Sequence, residues 1–309
     1  MDNFFAAIDL GSNSCRLLIA DKKGNTLFQE NYPVKLGEGM FENCVISDAA
    51  FERAIECFTS FKKYMEEYKV TKYRAVTTAA CRRAKNSEKF IKIIKEKTEI
   101  QIEIIDGYEE ALLNLEGAMM NCDKSKKYVV VFDMGGGSTE VTFAANTNPA
   151  QIIYSISIPW GARNASEAFG FGKYDKGKAD KLKDVINEYM KDFMVKTQYD
   201  KYMQDTCVIA TSSAPLRLAS MQHGFEKYDR VKADGLVIDM TKIDEVFNRY
   251  YSMSVKELAA SPLVGENRSV IFIPGCIIFD TILRNNLKAE KVIASLKSAK
   301  DGIISNLIK

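Results

Sequence analysis

Two short segments carry the residues best suited to chemistry. They are Ile8-Asp9-Leu10-Gly11-Ser12-Asn13-Ser14 and Phe132-Asp133-Met134-Gly135-Gly136-Gly137-Ser138-Thr139-Glu140. In each, an apolar run (4–8; 129–132) ends in an aspartate, small residues follow, and a second apolar run begins (16–20; 141–145). That pattern reads as strand, tight turn, strand, with a carboxylate at the tip of a buried strand. Glycine lets main-chain N–H groups turn toward an anion, and serine and threonine add hydroxyl donors. Two such hairpins facing each other across a cleft would grip a phosphate chain from both sides. The candidate phosphate-binding residues are Gly11, Ser12, Asn13, Gly135, Gly136, Gly137 and Ser138.

The acids beside these loops are candidate metal ligands. Asp133 ends an apolar run, where a carboxylate is costly to bury without a cation. An Asx-turn bonding the next amides is the plainer reading, but Asp9 repeats the placement. Glu140, one hairpin arm away, is near enough to share a hydrated Mg2+ with Asp133, since magnesium takes one or two carboxylates plus phosphate oxygens and water. Alone, Glu140 would read as an exposed strand carboxylate. The expected metal set is Asp133, Glu140 and Asp9, with Mg2+ or Mn2+ as the ion and no organic cofactor. On spacing alone, Glu109 and Glu110 read as first-turn acids that favour the helix dipole. Lys173, Lys176, Lys178, Lys181 and Lys183 form a basic run entering a helix, by default a solvated face and otherwise a track for a polyanion.

The elements that must position these residues occur in two similar sets. The first half reads as strands over 4–8, 16–20 and 26–32, and a helix of about twenty residues capped by Ser47. A strand over 74–77, a helix over 87–98, a strand over 100–105 and a helix over 108–121 complete it. The polar segment 121–127 marks the domain boundary. The second half repeats the plan: strands 128–133, 138–145 and 151–158, a helix near 175–197, and a strand over 206–211. Helices are then expected from Pro215, over 241–251 and 254–260, and in a segment ending at 284–286, followed by a strand over 290–294 and a last helix over 302–308. Three strands with a hairpin start, then helices and more strands, done twice, is the plan of the actin-like ATPase (ribonuclease H-like) α/β fold. The expected domains are 1–122, joined by the C-terminal helix 300–309, and 123–299, with the ligand cleft between them.

Composition narrows the chemistry. With 309 residues, 46% of them hydrophobic, the chain can bury two ordinary cores. Net charge of +2 excludes a strongly basic nucleic-acid binder. No apolar run reaches membrane-spanning length, and Met1-Asp2-Asn3 lacks a basic signal-peptide start, so no membrane partner is expected. The seven cysteines are scattered without a Cys-x-x-Cys pair, fitting a reducing cytoplasm rather than disulfides or zinc. His223 is the single histidine, which removes histidine-based metal centres and leaves carboxylates, arginine and a hard cation for any phosphate hydrolysis; it reads as a surface residue.

At these motifs the chain resembles the exopolyphosphatase/guanosine pentaphosphate phosphohydrolase (Ppx/GppA) family of the sugar-kinase, actin and heat-shock-chaperone superfamily. The opening loop through Arg16-Leu17, Leu36-Gly37-Glu38-Gly39, the segment Thr77 to Asn86 with Arg82 in the arginine position, and Asp133 to Glu140 match the family's motifs. Ile105-Asp106-Gly107-Tyr108-Glu109-Glu110-Ala111 is similar to its Ser-Gly-x-Glu-Glu-Ala motif with aspartate in place of serine, and Pro159-Trp160-Gly161-Ala162-Arg163 matches more loosely. The resemblance implies that Glu110 is the general base and that Arg82 stabilises the transferred phosphoryl group. It further implies a cytoplasmic enzyme of the stringent response, able to form a homodimer, acting on inorganic polyphosphate or on guanosine pentaphosphate. Departures lie in the second half: Ala210-Thr211-Ser212-Ser213 replaces a Gly-Gly-Thr turn, Glu266-Asn267-Arg268-Ser269 keeps only the arginine of Gly-Arg-Ala-Asp, and 295–302 departs from the closing motif. A serine where a glycine had φ > 0 costs roughly 1 kcal/mol. The rival readings are an ATP-using kinase, for which this turn is a poor nucleotide pocket, and a non-catalytic polyphosphate or alarmone sensor.

Overall fold

The structure, a computed structural model, describes residues 3–38 and 44–309; Gly39, at the end of one motif, and Met1 and Asp2 lie outside them. The chain divides into two compact units, 1–117 with 298–309 and 118–297.

Unit 1 contains β1 (Phe4–Leu10), β2 (Cys15–Ala20), β3 (Thr26–Tyr32), α1 (Asp48–Glu67), β4 (Val70–Thr77), α2 (Ala79–Arg83), α3 (Ser87–Thr98), β5 (Ile102–Ile104) and α4 (Gly107–Ala118). Its sheet has the order β3-β2-β1-β4-β5, with the first three strands antiparallel and β4 and β5 parallel to β1. Side chains alternate across a strand, so Ala6, Ile8 and Leu10 join one core while Ala7 joins the other. Phe51, Phe58, Phe61 and Met65 recur along α1 and fill the first core; Ser47 caps the helix, its side chain accepting from the Ala50 amide at 3.3 Å.

Unit 2 contains β6 (Tyr128–Met134), β7 (Thr139–Ala145), β8 (Gln151–Ile158), α5 (Ala162–Phe169), α6 (Lys176–Thr197), β9 (Thr206–Thr211), α7 (Ser213–Gln222), β10 (Val237–Asp239), α8 (Ile243–Tyr251), α9 (Val255–Ala260), α10 (Glu266–Asp280) and β11 (Lys291–Ser295). Its sheet order, β10-β11-β9-β6-β7-β8, is the unit 1 pattern read from the other edge, with β10 added antiparallel to β11. Both units therefore carry the actin-like, ribonuclease H-like arrangement. The last helix, α11 (Ala299–Ile308), belongs to unit 1 and supplies Ile303 and Ile304 to the core that Ala7 and Leu113 share. A Cβ at Gly302 would strike the Leu113 carbonyl, and one at Gly117 the Ser298 carbonyl, so the paired glycines set how closely α4 and α11 pack.

Several elements differ from expectation. The last helix starts at Ala299, three residues before the expected 302. The helix expected to end at 284–286 is α-helical to Asp280 and then becomes a π-helical turn, Thr281–Asn286. Helices α2 and α5 and the three-residue strand β10 were not anticipated. At the replaced glycine turn after β9, Ser212 has φ 87°. Its Oγ is buried without a hydrogen-bond partner among the described residues. Ser212→Gly is expected to raise unit 2 stability by about 1 kcal/mol, read from urea denaturation followed by fluorescence of the single tryptophan, Trp160.

Candidate functional site

The unit 2 hairpin is built around a turn in which the Gly135 amide donates to the Ser138 carbonyl at 2.9 Å. Register places Asp133 opposite Glu140 on β7 and opposite Thr211 on β9. Glu140 accepts from the Ser157 hydroxyl at 2.8 Å. The start of α5 then takes up the loop's carbonyls. The Ala162 amide reaches Gly135 O at 3.1 Å, and the Arg163 and Asn164 amides reach Gly136 O at 2.9 and 3.0 Å. The Asn164 side chain reaches Gly137 O at 3.0 Å.

A trans peptide holds its C=O and N–H on opposite sides. With the carbonyls of Gly135, Gly136 and Gly137 drawn onto α5, the amides of Gly136, Gly137 and Ser138 must point the other way. The three glycines are exposed, and the Gly136 and Gly137 amides make no main-chain hydrogen bond among the described residues. The turn thus presents successive main-chain donors outward at a strand tip, an arrangement of the kind that can receive an anion.

Unit 1 repeats the device with different supports. The Gly11 amide donates to Ser14 O at 3.0 Å, while Gly37 N reaches Ser12 O at 2.8 Å and Lys35 N reaches Asn13 O at 2.9 Å. The amides of Asn13 and Ser14 are thereby turned outward. One expectation needs correcting: Gly11 and Gly135 spend their amides closing the turns, so they shape the loops and are not anion donors. Ser14, Lys35 and Gly37 were missed as parts of this device, as were Gly161 and Asn164 in unit 2. The only sequence signal was the glycine in each supporting segment.

The two hairpins differ in charge. Opposite Asp9 stands Arg16, whose guanidinium lies 3.1 Å from the carboxylate. Asp9 is 7% exposed, and its charge is balanced within unit 1. At the corresponding rung of unit 2 the neighbour is a second carboxylate, Glu140. Among the described residues no group of three or more histidine, cysteine or acidic side chains is disposed to hold a metal. The Asp133 and Glu140 rung does fit a hard cation that keeps water or phosphate oxygens on its remaining positions.

Glu110 and Arg82 meet in unit 1. Asp106 caps α4 by accepting from the Glu109 amide at 2.8 Å, the task its replacement of serine leaves intact. Glu109 is held by Arg74, which also binds Glu103 at 2.9 Å. Glu110 instead receives Arg82 Nη2 at 3.0 Å, while Arg82 Nη1 is anchored on the Ile105 carbonyl at 2.7 Å. Burial raises the Glu110 carboxyl above its ordinary range, against the lowering effects of Arg82 and the Thr78 hydroxyl, and Asp9 adds to the rise. A half-buried carboxylate poised in this way is suited to taking a proton.

The lysine run serves several ends. Lys176 pairs with Asp180 at 2.6 Å, and Lys178 binds the Gly170 carbonyl at 2.6 Å. Lys183 lines a cavity of about 410 Å³ with Asp280 and Arg284. Lys173 and Lys181 are exposed. His223 is exposed and lies 2.9 Å from the Val237 carbonyl.

Residues 18–309 match the model of the Ppx/GppA phosphatase family, and the chain belongs to that family. A bifunctional 3-dehydroquinate synthase/phosphatase of Fusobacterium nucleatum subsp. nucleatum is 30% identical, over 91% of this chain and 43% of that protein. The chain thus spans less than half the length of this curated relative. A Ppx/GppA family member from Aquifex aeolicus superposes with a TM-score of 0.86 at 23% identity, over 100% of this chain and 98% of the other. A Cytophaga hutchinsonii structure described as an exopolyphosphatase gives 0.81 at 22% identity, over 99% and 98%. These likenesses extend the shared fold across both units. Among the described residues no helix is long and apolar enough to cross a membrane.

Gly161 is where α5 meets the glycine loop: a Cβ there would lie 2.5 Å from Gly135 O and 2.7 Å from Gly137 N. Gly161→Ala is expected to displace the glycine loop, and any phosphate release that depends on the loop should fall by about 10²-fold, the scale of a 1 Å misplacement. The circular dichroism spectrum should be retained, and an unchanged rate would show that the tie to α5 does not matter.

Proposed function

We propose that this chain is a Mg2+-dependent hydrolase that removes terminal orthophosphate from inorganic polyphosphate. The observation that supports it best is the Asp133-to-Glu140 hairpin, where outward amides adjoin a rung of two carboxylates. The membership in a phosphatase family is consistent with that chemistry. Removal of the 5′ terminal phosphate of guanosine pentaphosphate needs the same grip. Phosphate release from the two substrates side by side distinguishes them, and the greater kcat/KM is expected for polyphosphate.

In this reading, the amides of Gly136, Gly137 and Ser138 bind phosphate oxygens, and those of Asn13 and Ser14 do the same in unit 1. Asp133 and Glu140 would hold Mg2+, which neutralises phosphate charge when bound. Asp9, committed to Arg16, is left out of the metal set. Glu110 orients a water and accepts its proton as the water attacks the terminal phosphorus. Arg82 offers a planar fork to the charge that gathers on the transferred group. Its present bond to Glu110 holds both side chains in place and keeps the base ionised further into acid.

Glu110→Gln keeps the shape and removes the base. It should lower kcat by about 10² or more with KM little changed; a full-rate variant would refute the assignment. Asp133→Asn should raise the Mg2+ concentration needed for half-maximal rate, and chelation of divalent ions should stop turnover. The pH profile tests the environment of the base. Glu110 works when ionised, so kcat/KM should fall as pH drops through its raised pKa. Removing Arg82, which holds that pKa down, should move the acid limb to higher pH, so Arg82→Ala should shift the limb upward as well as slow the reaction.

A further inference from the structure

The cavity of about 410 Å³ that Lys183 shares with Asp280 and Arg284 lies wholly within unit 2, and none of its lining residues belongs to the glycine loop or to α5. Its walls come from three helices and a turn. Asp244, Phe247, Asn248 and Tyr251 recur at helical spacing along α8, so one face of that helix borders the space. Lys183 stands on α6, and Asp280 ends α10. Arg284 arrives on the π-helical turn that follows, a rare backbone form that recurs at functional sites. The volume suits a small molecule, for which sites of about 300–1,000 Å³ are usual.

One wall is aromatic. Tyr174 stacks on Tyr251 with ring centres 4.4 Å apart and planes at 6°, and Tyr251 stacks on Phe247 at 5.2 Å and 2°. The polar lining is unevenly paired. Two carboxylates share one guanidinium: Arg284 Nη1 donates to Asp244 Oδ1 at 2.8 Å and Nη2 to Asp280 Oδ2 at 3.1 Å. Asp280 Oδ1 lies 2.7 Å from Arg284 Nε, but that N–H is not directed at it, and the oxygen is buried without a hydrogen bond among the described residues. Asp280 as a whole is 5% exposed. Burial raises its carboxyl above the ordinary range, with Arg284 and, at longer range, Lys183 opposing the rise. Lys183 itself makes no ion pair or side-chain hydrogen bond among the described residues. The cavity therefore holds an acceptor short of a donor and a cation short of a partner.

We propose that this cavity binds a small zwitterion, an α-amino acid with an apolar or aromatic side chain. Its ammonium group supplies the donor that Asp280 Oδ1 lacks, its carboxylate pairs with Lys183, and its side chain lies against the ring wall. The charged side chains of the lining balance, with Lys183 and Arg284 against Asp244 and Asp280, so a polyanion would meet as much repulsion as attraction. An amine without a carboxylate leaves Lys183 alone, and a carboxylate without an amine is set against Asp280. Only both charges on one small frame leave no group in the cavity unpaired. The site does not depend on the phosphate chemistry proposed above.

The test is isothermal titration calorimetry on the full chain. L-phenylalanine and L-leucine are expected to bind saturably, with phenethylamine and hydrocinnamate each about tenfold or more weaker than L-phenylalanine, because each forfeits one charged contact. Lys183→Met should weaken L-phenylalanine by about the same factor and leave phenethylamine unchanged, since that probe has no carboxylate to lose. Asp280→Asn should weaken phenethylamine and L-phenylalanine while sparing hydrocinnamate. Asp280 is buried, so circular dichroism checks that this variant folds; Lys183 is only half-buried on α6, and its variant decides the matter if Asp280→Asn does not fold. Absence of binding by both amino acids at millimolar concentration, equal affinity for L-phenylalanine and its two analogues, or unchanged L-phenylalanine affinity in Lys183→Met would each overturn the proposal. Tripolyphosphate binding that Lys183→Met abolishes would overturn it in favour of a polyanion site. None of these readouts depends on catalytic activity.

Discussion

A peptide unit cannot aim its carbonyl and its amide the same way, and the candidate site depends on that constraint. In unit 2 the first turn of α5 draws three consecutive carbonyls of the glycine loop inward. In unit 1 the segment at Lys35 and Gly37 does the same for Ser12 and Asn13. The amides that remain outward lie on exposed residues, so the loops hold these donors without the cost of leaving them buried and unpaired. Glycine matters here for access as much as for dihedral freedom. At Gly161 any side chain would separate the helix from the loop it restrains.

Built on one plan, the hairpins have diverged electrostatically. The rung below the unit 1 turn is an aspartate and an arginine; the same rung in unit 2 is an aspartate and a glutamate. The first pairs opposite charges, and the second sets two carboxylates on one rung. Glu110 shows the same economy in unit 1. Burial and Asp9 push its proton affinity up, Arg82 and Thr78 pull it down, and the balance leaves a carboxylate more basic than a surface glutamate.

Much of the fold was legible because apolar runs of strand length, each closed by an aspartate and glycines, occur twice with the same spacing. The strands β3 and β8 appear at the expected 26–32 and 151–158. The start of α11 carries two charged residues, Lys300 and Asp301, that are nonetheless 8% and 4% exposed and pair with each other, a burial that no apolar spacing announces. β10 is three residues long, too short for any periodicity to register. Side-chain type and placement pointed to Asp133 and Glu140, whereas Glu110 and Arg82 came only from the family resemblance. The supports were not legible, because α5 and the segment at Lys35 act through main-chain groups that every residue carries. Ser212 lies between these cases: a serine in place of glycine suggested a positive φ, and the angle is there, but its unpartnered hydroxyl had no signature.

Unit 1 is discontinuous along the chain, since α11 joins it only after all of unit 2 has been traversed. One face of its sheet, with Ala7, Leu18 and Val76, has α11 as a principal cover. As the polypeptide leaves the ribosome, that face must wait for residues 298–309, while unit 2 has its whole sequence earlier. Vectorial synthesis therefore favours completion of the second unit before the first, and it leaves an apolar surface for a chaperone to shield in the interval.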